Sequence, residues 1–255
     1  MTTAPAISCV IPVFNGTRVL KRAIDSVLVQ RPDAQVVVVD DDSTDGTREL
    51  VLEMARDDQR IVVVLLPQNR GQGNARNVGV AAANSPYVTF LDQDDEHVPG
   101  WYDYALELLE SNQNYAAIKG AVELMDVPAD LSIGPADPRR VAITDSVMWN
   151  VVTRKVVFQV LGGCPVSRHD GEDIGFILNL RKHFTMVSTD YPSTQHYLRT
   201  NNATTHFLRR TRVVGTGYEY LETLAPEADG TLYKALLDFQ SQADINVAAV
   251  RSLSR

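Results

Sequence analysis

Short apolar runs that never alternate with polar residues constrain this chain more than any other feature. They are residues 7–13 (ISCVIPV), 36–39 (VVVV), 61–66 (IVVVLL) and 87–91 (YVTFL). Each is rich in β-branched residues and too short for a helix. The stretches between them have helical spacing: Val19, Leu20, Ala23, Ile24, Val27 and Leu28 recur on one face, as do Leu50, Val51 and Met54. Residues 73–83 form the next such segment. A strand with no polar face must be covered on both sides, which requires a parallel sheet sandwiched by helices. The order predicts an α/β fold.

Open sheets of this kind gather ligands beyond the carboxyl ends of their strands. The polar clusters fall at those ends: Asn15, Asp40–Asp42 and residues 92–95. Beyond Gly100 the spacing predicts a helix of about ten residues and then a strand over 116–125. Residues 126–140 hold Pro128, Pro135 and Pro138 with Gly134 and read as a long loop of the kind that serves as a lid. Structure resumes over 147–161, and 172–183 reads as a helix with Ile174, Ile177 and Leu178 on one side. The tail from 218 to 255 is expected to be helical. Apolar positions within 232–250 would suit a packed or dimerising helix.

A chain of 255 residues buries one good core. Its net charge of −8 argues against a nucleic-acid partner but not against a nucleotide, because a cation can neutralise phosphates locally. Cys9 lies in an apolar run and reads as a small core residue, which points to a reducing compartment. The first six residues lack the basic start and apolar stretch of a signal peptide, and no window reaches the roughly 20 apolar residues of a membrane span. The expected location is cytoplasmic, with peripheral docking on a membrane left open.

Three runs carry chemistry. In Asp92-Gln93-Asp94-Asp95, two carboxylates spaced Asp-x-Asp at a strand end can share Mn²⁺ or Mg²⁺, hard cations that keep coordination positions free for diphosphate oxygens. In Asp40-Asp41-Asp42-Ser43, a carboxylate at a buried strand end can accept from a base N–H or a ribose hydroxyl, while Ser43 or Asp45 caps the following helix. In Asn69-Arg70-Gly71-Gln72-Gly73-Asn74-Ala75-Arg76-Asn77, the glycines permit a tight loop before a helix, and Arg70 or Arg76 could face a diphosphate.

Together these runs resemble the family 2 glycosyltransferases, which have the nucleotide-diphospho-sugar transferase (GT-A) fold. The resemblance opens at Val10-Ile11-Pro12-Val13-Phe14-Asn15 and passes through the three runs in order. It extends to Leu161-Gly162-Gly163-Cys164 and Gly171-Glu172-Asp173-Ile174, covering about residues 7–183. It implies a GT-A domain over 1–214, with a nucleotide-binding half at about 7–99 and an acceptor half at about 100–214. A helical extension over 215–255 follows.

By the same resemblance Pro12, Val13, Asn15, Asp41, Arg70 and Arg76 would line the nucleotide, and Asp40 would support its pocket. Asp94 would be the main metal ligand, and Asp92 would face the ribose or the metal. Asp173 would be the general base, with Glu172 shaping the acceptor site. The implied reaction is inverting transfer from a nucleotide-sugar, UDP foremost, to a hydroxyl of a glycan, a lipid-linked glycan or another acceptor. The Gln-x-x-Arg-Trp run of processive synthases is absent, so the enzyme would be non-processive. Two departures stand out. Gly162-Gly163 is followed by Cys164-Pro165-Val166 rather than Phe-Asp-Glu. Asn201 and Asn202 stand where a histidine is common, which leaves His196 as a further candidate metal ligand. Trp149 could stack on a sugar, and Trp101 reads as packing. Arg209, Arg210 and Arg212 could meet anionic headgroups. The alternative reading is a degenerate module that binds a nucleotide-sugar or a partner without turnover.

Overall fold

The computed structural model describes residues 4–131, 133, 147–165, 172–199, 204, 211–214, 217–220, 242–243 and 245–247. Strands β1 (Ile7–Val13), β2 (Ala34–Asp40) and β3 (Ile61–Leu65) alternate with helices α1 (Leu20–Leu28), α2 (Thr47–Asp57) and α3 (Gln72–Ala82). Then come β4 (Tyr87–Phe90), β5 (Glu96–His97), α4 (Trp101–Ser111), β6 (Tyr115–Met125), β7 (Val151–Arg154), α5 (Lys155–Val160), α6 (Glu172–His183) and β8 (Thr185–Tyr197). These eight strands form one sheet in the order β3-β2-β1-β4-β7-β6-β8-β5. The β3-β2-β1-β4 side is parallel throughout, whereas β7 runs antiparallel to both β4 and β6, and β5 antiparallel to β8.

Every residue of β1 and β2 is buried, as expected of runs with no polar face. One core layer, built from Ile7, Ile11, Leu20, Ile24 and Trp101, lies on the α1/α4 face of the sheet. The other, built from Val10, Val37, Phe90, Phe158 and Phe176, lies on the α3/α6 face. Trp101 is fully buried, which agrees with its reading as a packing residue, and Cys9 is buried with a free thiol.

Helix α3 comes so close to the sheet that a Cβ on Gly79 would overlap the Val10 side chain and lie 3.1 Å from Val39 Cγ2. Gly79→Val should therefore cost about 1–3 kcal/mol through overpacking of a layer that has no slack. A urea unfolding curve with an unchanged midpoint would refute this.

The register aligns the strand ends that carry the polar clusters. Val13 lies opposite Asp40, while Phe90 pairs with Val10, so the chain leaves β4 alongside the last residues of β1. Residues 217–220, expected to begin a helical tail, instead form strand β10 (Gly217–Tyr220), paired with β9 (Thr211–Val214). Residues 242–243 and 245–247 are helical, and Ala243 and Val247 join the α3/α6 core layer. Most of the proline-rich loop, Asn201, Asn202, and the Arg209, Arg210 and Arg212 side chains lie outside the described residues, as does most of the 232–250 segment.

Candidate active site

A cleft of about 310 Å³ opens at the carboxyl ends of β1, β2 and β4. Pro12, Val13, Asp41, Asp92, Asp94 and His196 line it. These residues come from four different strand ends, and the sheet order alone brings them together.

Asp41 follows β2 directly. Its backbone N–H donates to the Val13 carbonyl at 2.8 Å, which fixes it beside β1. Its carboxylate accepts from the Arg70 and Gly71 backbone N–H groups at 2.9 and 2.8 Å. Each carboxylate oxygen has two lone pairs, so one acceptor site per oxygen remains for a ligand. Asp40 has no exposed surface. It accepts from Arg48 Nε at 2.7 Å, and Arg48 also donates to the Leu66 carbonyl, so this aspartate braces the pocket from behind. Asn15, in the left-handed region at φ 52°, ties the loop after β1 to the loop after β2: its Oδ1 accepts from Thr44 N, and its own N–H donates to Ser43 Oγ. The Arg70 side chain is exposed, and neither it nor Asn15 lines the cleft.

Asp94 differs from its neighbours. Its side chain is 21% exposed, and the nearest cation is Arg199, with Nε 3.5 Å away. Burial raises its pKa above the usual carboxylate range, and the Asp92 charge adds to that, while Arg199 opposes it. Arg22 donates to the Asp94 backbone carbonyl at 2.7 Å and lies 3.7 Å over the Tyr197 ring, so the turn itself is held firmly. Among the described residues, no group of three or more His, Cys, Asp or Glu side chains is arranged to hold a metal ion.

Asp95 has no separate role in the local pattern, yet this fully buried carboxylate organises the far wall. It accepts from the Tyr197 N–H at 3.1 Å and lies 2.6 Å from His196 Nδ1. Burial works against a charge on His196, but Asp95 outweighs it and raises the imidazole pKa. The His196 ring stacks on Trp149 with centroids 4.7 Å apart, and its Nε2 meets Thr204 Oγ1 at 3.0 Å. Trp149 is 2% exposed, so its face is spent on the histidine and not open to a sugar.

Asp173 and Glu172 start α6. Their carboxylates meet the guanidinium of Arg76, which also reaches Asp92 across the floor of the site. Arg76 is thus drawn away from the loop after β3 and into the junction between the two halves of the chain.

A curled, mostly parallel sheet flanked by helices, with carboxylates at the ends of β2 and β4, is the GT-A arrangement of nucleotide-diphospho-sugar transferases. Residues 8–130 match the family described as Glycosyl transferase family 2. The teichuronic acid biosynthesis protein TuaG of Bacillus subtilis, a glycosyltransferase by its name, is 40% identical over 93 residues, 36% of this chain and 37% of that one. The GalNAc(5)-diNAcBac-PP-undecaprenol beta-1,3-glucosyltransferase of Campylobacter jejuni is 36% identical over 119 residues, 46% of this chain and 38% of its own. The matched region thus spans less than two fifths of these relatives. Among solved structures, residues 1–349 of S. aureus TarS in complex with UDP-GlcNAc align with a TM-score of 0.69 at 17% identity, covering 96% of this chain and 71% of that one.

Proposed function

We propose that the protein transfers a sugar from a nucleotide-diphosphate donor, a UDP-sugar foremost, to an acceptor hydroxyl, in one direct displacement that inverts the anomeric centre. The observation that carries this reading is the convergence of Asp41, Asp92, Asp94 and Asp173 at one end of the sheet, with Arg76 joining the donor-side carboxylate to the acceptor-side one. Asp41 faces the base, Pro12 and Val13 form the wall beside it, and Asp40 braces the pocket through Arg48. TarS has been solved with UDP and with UDP-GlcNAc, which favours uridine as the base.

A divalent cation fits at Asp94. The side chain is a hard oxygen ligand in a desolvated position, and Arg199, with Nε 3.5 Å away, offsets its charge without overcoming the effect of burial. The small number of protein ligands suits Mn²⁺ or Mg²⁺, which take one or two carboxylates and leave the other positions to phosphates and water. When bound, such an ion would stabilise the charge of the departing diphosphate. Asp92 and His196 border the same position. Asp173 takes the proton of the acceptor hydroxyl as it attacks. None of the described helices is long and apolar enough to cross a membrane. A cytoplasmic or membrane-peripheral station for the enzyme belongs to the same reading.

A thermal-shift panel of UDP, GDP, CDP, ADP and dTDP, each with and without Mn²⁺, tests the donor assignment. A ligand at a hundredfold excess over its Kd stabilises the fold by about 2.7 kcal/mol. For a chain of this size that is a rise of roughly 5–10 °C. The expected result is that UDP with Mn²⁺ gives this rise and UDP alone gives less. A flat panel from a folded protein would overturn the donor reading and favour a binding module without turnover.

A further inference from the structure

One face of α3 grips the second half of the chain with Gly73, Arg76 and Asn77. A Cβ on Gly73 would run into the Pro165 carbonyl oxygen and sit 3.2 Å from Glu172 Cβ. The Asn77 side-chain amide brackets the backbone of Cys164, accepting from its N–H at 2.7 Å and donating to its carbonyl at 2.9 Å. Between these two contacts Arg76 is 1% exposed. Its Nη1 donates to Asp173 Oδ1 at 2.6 Å and to Glu172 Oε1 at 3.0 Å. Its Nη2 donates to Asp92 Oδ1 at 3.0 Å and to Gln72 Oε1 at 3.1 Å.

A guanidinium has five N–H donors. Four of those on Arg76 are taken, and the fifth, on Nε, is walled in without a partner among the described residues. No donor is left for a diphosphate. We propose that Arg76 is a positioning residue, which holds Asp92 on the donor side and Asp173 on the acceptor side at a fixed separation instead of contacting the nucleotide. Its catalytic consequence rests on the general-base reading of Asp173. The fork is essential to the arrangement, because an ammonium is a point charge and cannot span two carboxylates in fixed directions.

The charged and titratable groups around Asp173 are Arg76, Glu172, Asp92 and the Cys164 thiol, and the Met148 backbone N–H also donates to it. One cation serves three carboxylates here. Removing it leaves Asp173 among like charges, so its proton should bind more tightly.

The test uses the whole chain carrying ¹³C-labelled aspartate, with the Asp173 carboxyl signal assigned by its loss in Asp173→Asn. In Arg76→Gln the titration midpoint of Asp173 should rise by about 1–3 pH units. In Arg76→Lys, which keeps the charge but loses the fork, it should rise by a smaller amount, about half a unit or more. UDP affinity with Mn²⁺ should stay within about threefold of the parent in both variants, a difference under 1 kcal/mol. An unmoved midpoint in Arg76→Gln would overturn the proposal. So would an affinity loss of about tenfold or more with an unmoved midpoint, which would make Arg76 a phosphate ligand. If Arg76→Gln does not fold, Arg76→Lys decides by the same two readouts. Should the parent itself fail to bind UDP, the donor reading falls, and the carboxyl titration still decides the role of Arg76. Full transfer by Asp173→Asn would instead remove the general base and leave the positioning result standing.

Discussion

Asp173→Asn lowers turnover by about 10²–10⁴-fold, the usual worth of a general base, and leaves nucleotide affinity unchanged. The amide is nearly isosteric, and its oxygen can still accept from Arg76 Nη1, so the junction keeps its shape. What disappears is the lone pair basic enough to take the acceptor's proton. The pH profile carries a second signature. Burial pushes the Asp173 carboxyl up to about 7. Arg76 opposes this, and the neighbouring Glu172 and Asp92 charges add to it. Only the ionised form accepts a proton. Transfer by the parent therefore rises with pH through that region and levels off above it. Below it the rate falls about tenfold per pH unit, following the ionised fraction. The Asn variant has no such limb. Steady-state rates across pH 5–9 check this, and a variant with parental turnover or an unaltered limb would remove Asp173 from the chemistry.

Asp94→Ala has the next largest effect. Nucleotide affinity loses its dependence on Mn²⁺, and kcat/KM drops by roughly 10²-fold or more, the equivalent of the several kcal/mol that a bound cation supplies. Stability should move the other way or not at all. The folded pKa of Asp94 lies above its unfolded value, so at neutral pH the ionised side chain is a burden on the fold, not a support. Alanine removes that burden. Calorimetric titration of UDP with and without Mn²⁺, alongside a thermal melt, separates the two effects. Mn²⁺-dependence equal to the parent's would dismiss Asp94 as a ligand.

The half of the fold that the sequence displays is the half with uniform burial. β1, β2 and β4 are short apolar runs because helices cover both of their faces, and the register then places their acidic ends at one cleft. β8 left no comparable trace. Its thirteen residues include Asp190 and Pro192, most of them are exposed or only partly buried, and its pairing with β6 shifts register at Ala121, so no period in the sequence marks it as a strand. β5 has two residues, too few to show any period. Asp41, Asp92 and Asp94 could be picked out because each follows a recognisable strand, and Asp173 because it opens a helical segment. The partners of these residues could not. Arg76 meets Asp92, Glu172 and Asp173 across separations of 16, 96 and 97 residues, and Asp95 meets His196 across 101. Ion pairs over such distances depend on sheet order, to which local composition is blind. Trp149 was open to a sugar-stacking role for the same reason, since the histidine that occupies its face lies far along the chain.

The salt-bridge node at Arg76 also bears on how the chain matures. A chain growing from its amino end completes β1 to β4 and α3 well before residues 172 and 173 exist, so the guanidinium must wait in water, or beside Asp92 alone, until they are added. Closing a loop of that length is entropically slow. Docking of α6 on α3 then desolvates all three carboxylates in one event. The reverse holds on mild denaturation. Segments with fewer buried contacts open below the global transition, and detachment of α6 would extinguish turnover while the parallel strands still hold their protons against exchange. Where α6 detaches before the sheet opens, activity is lost ahead of sheet protection.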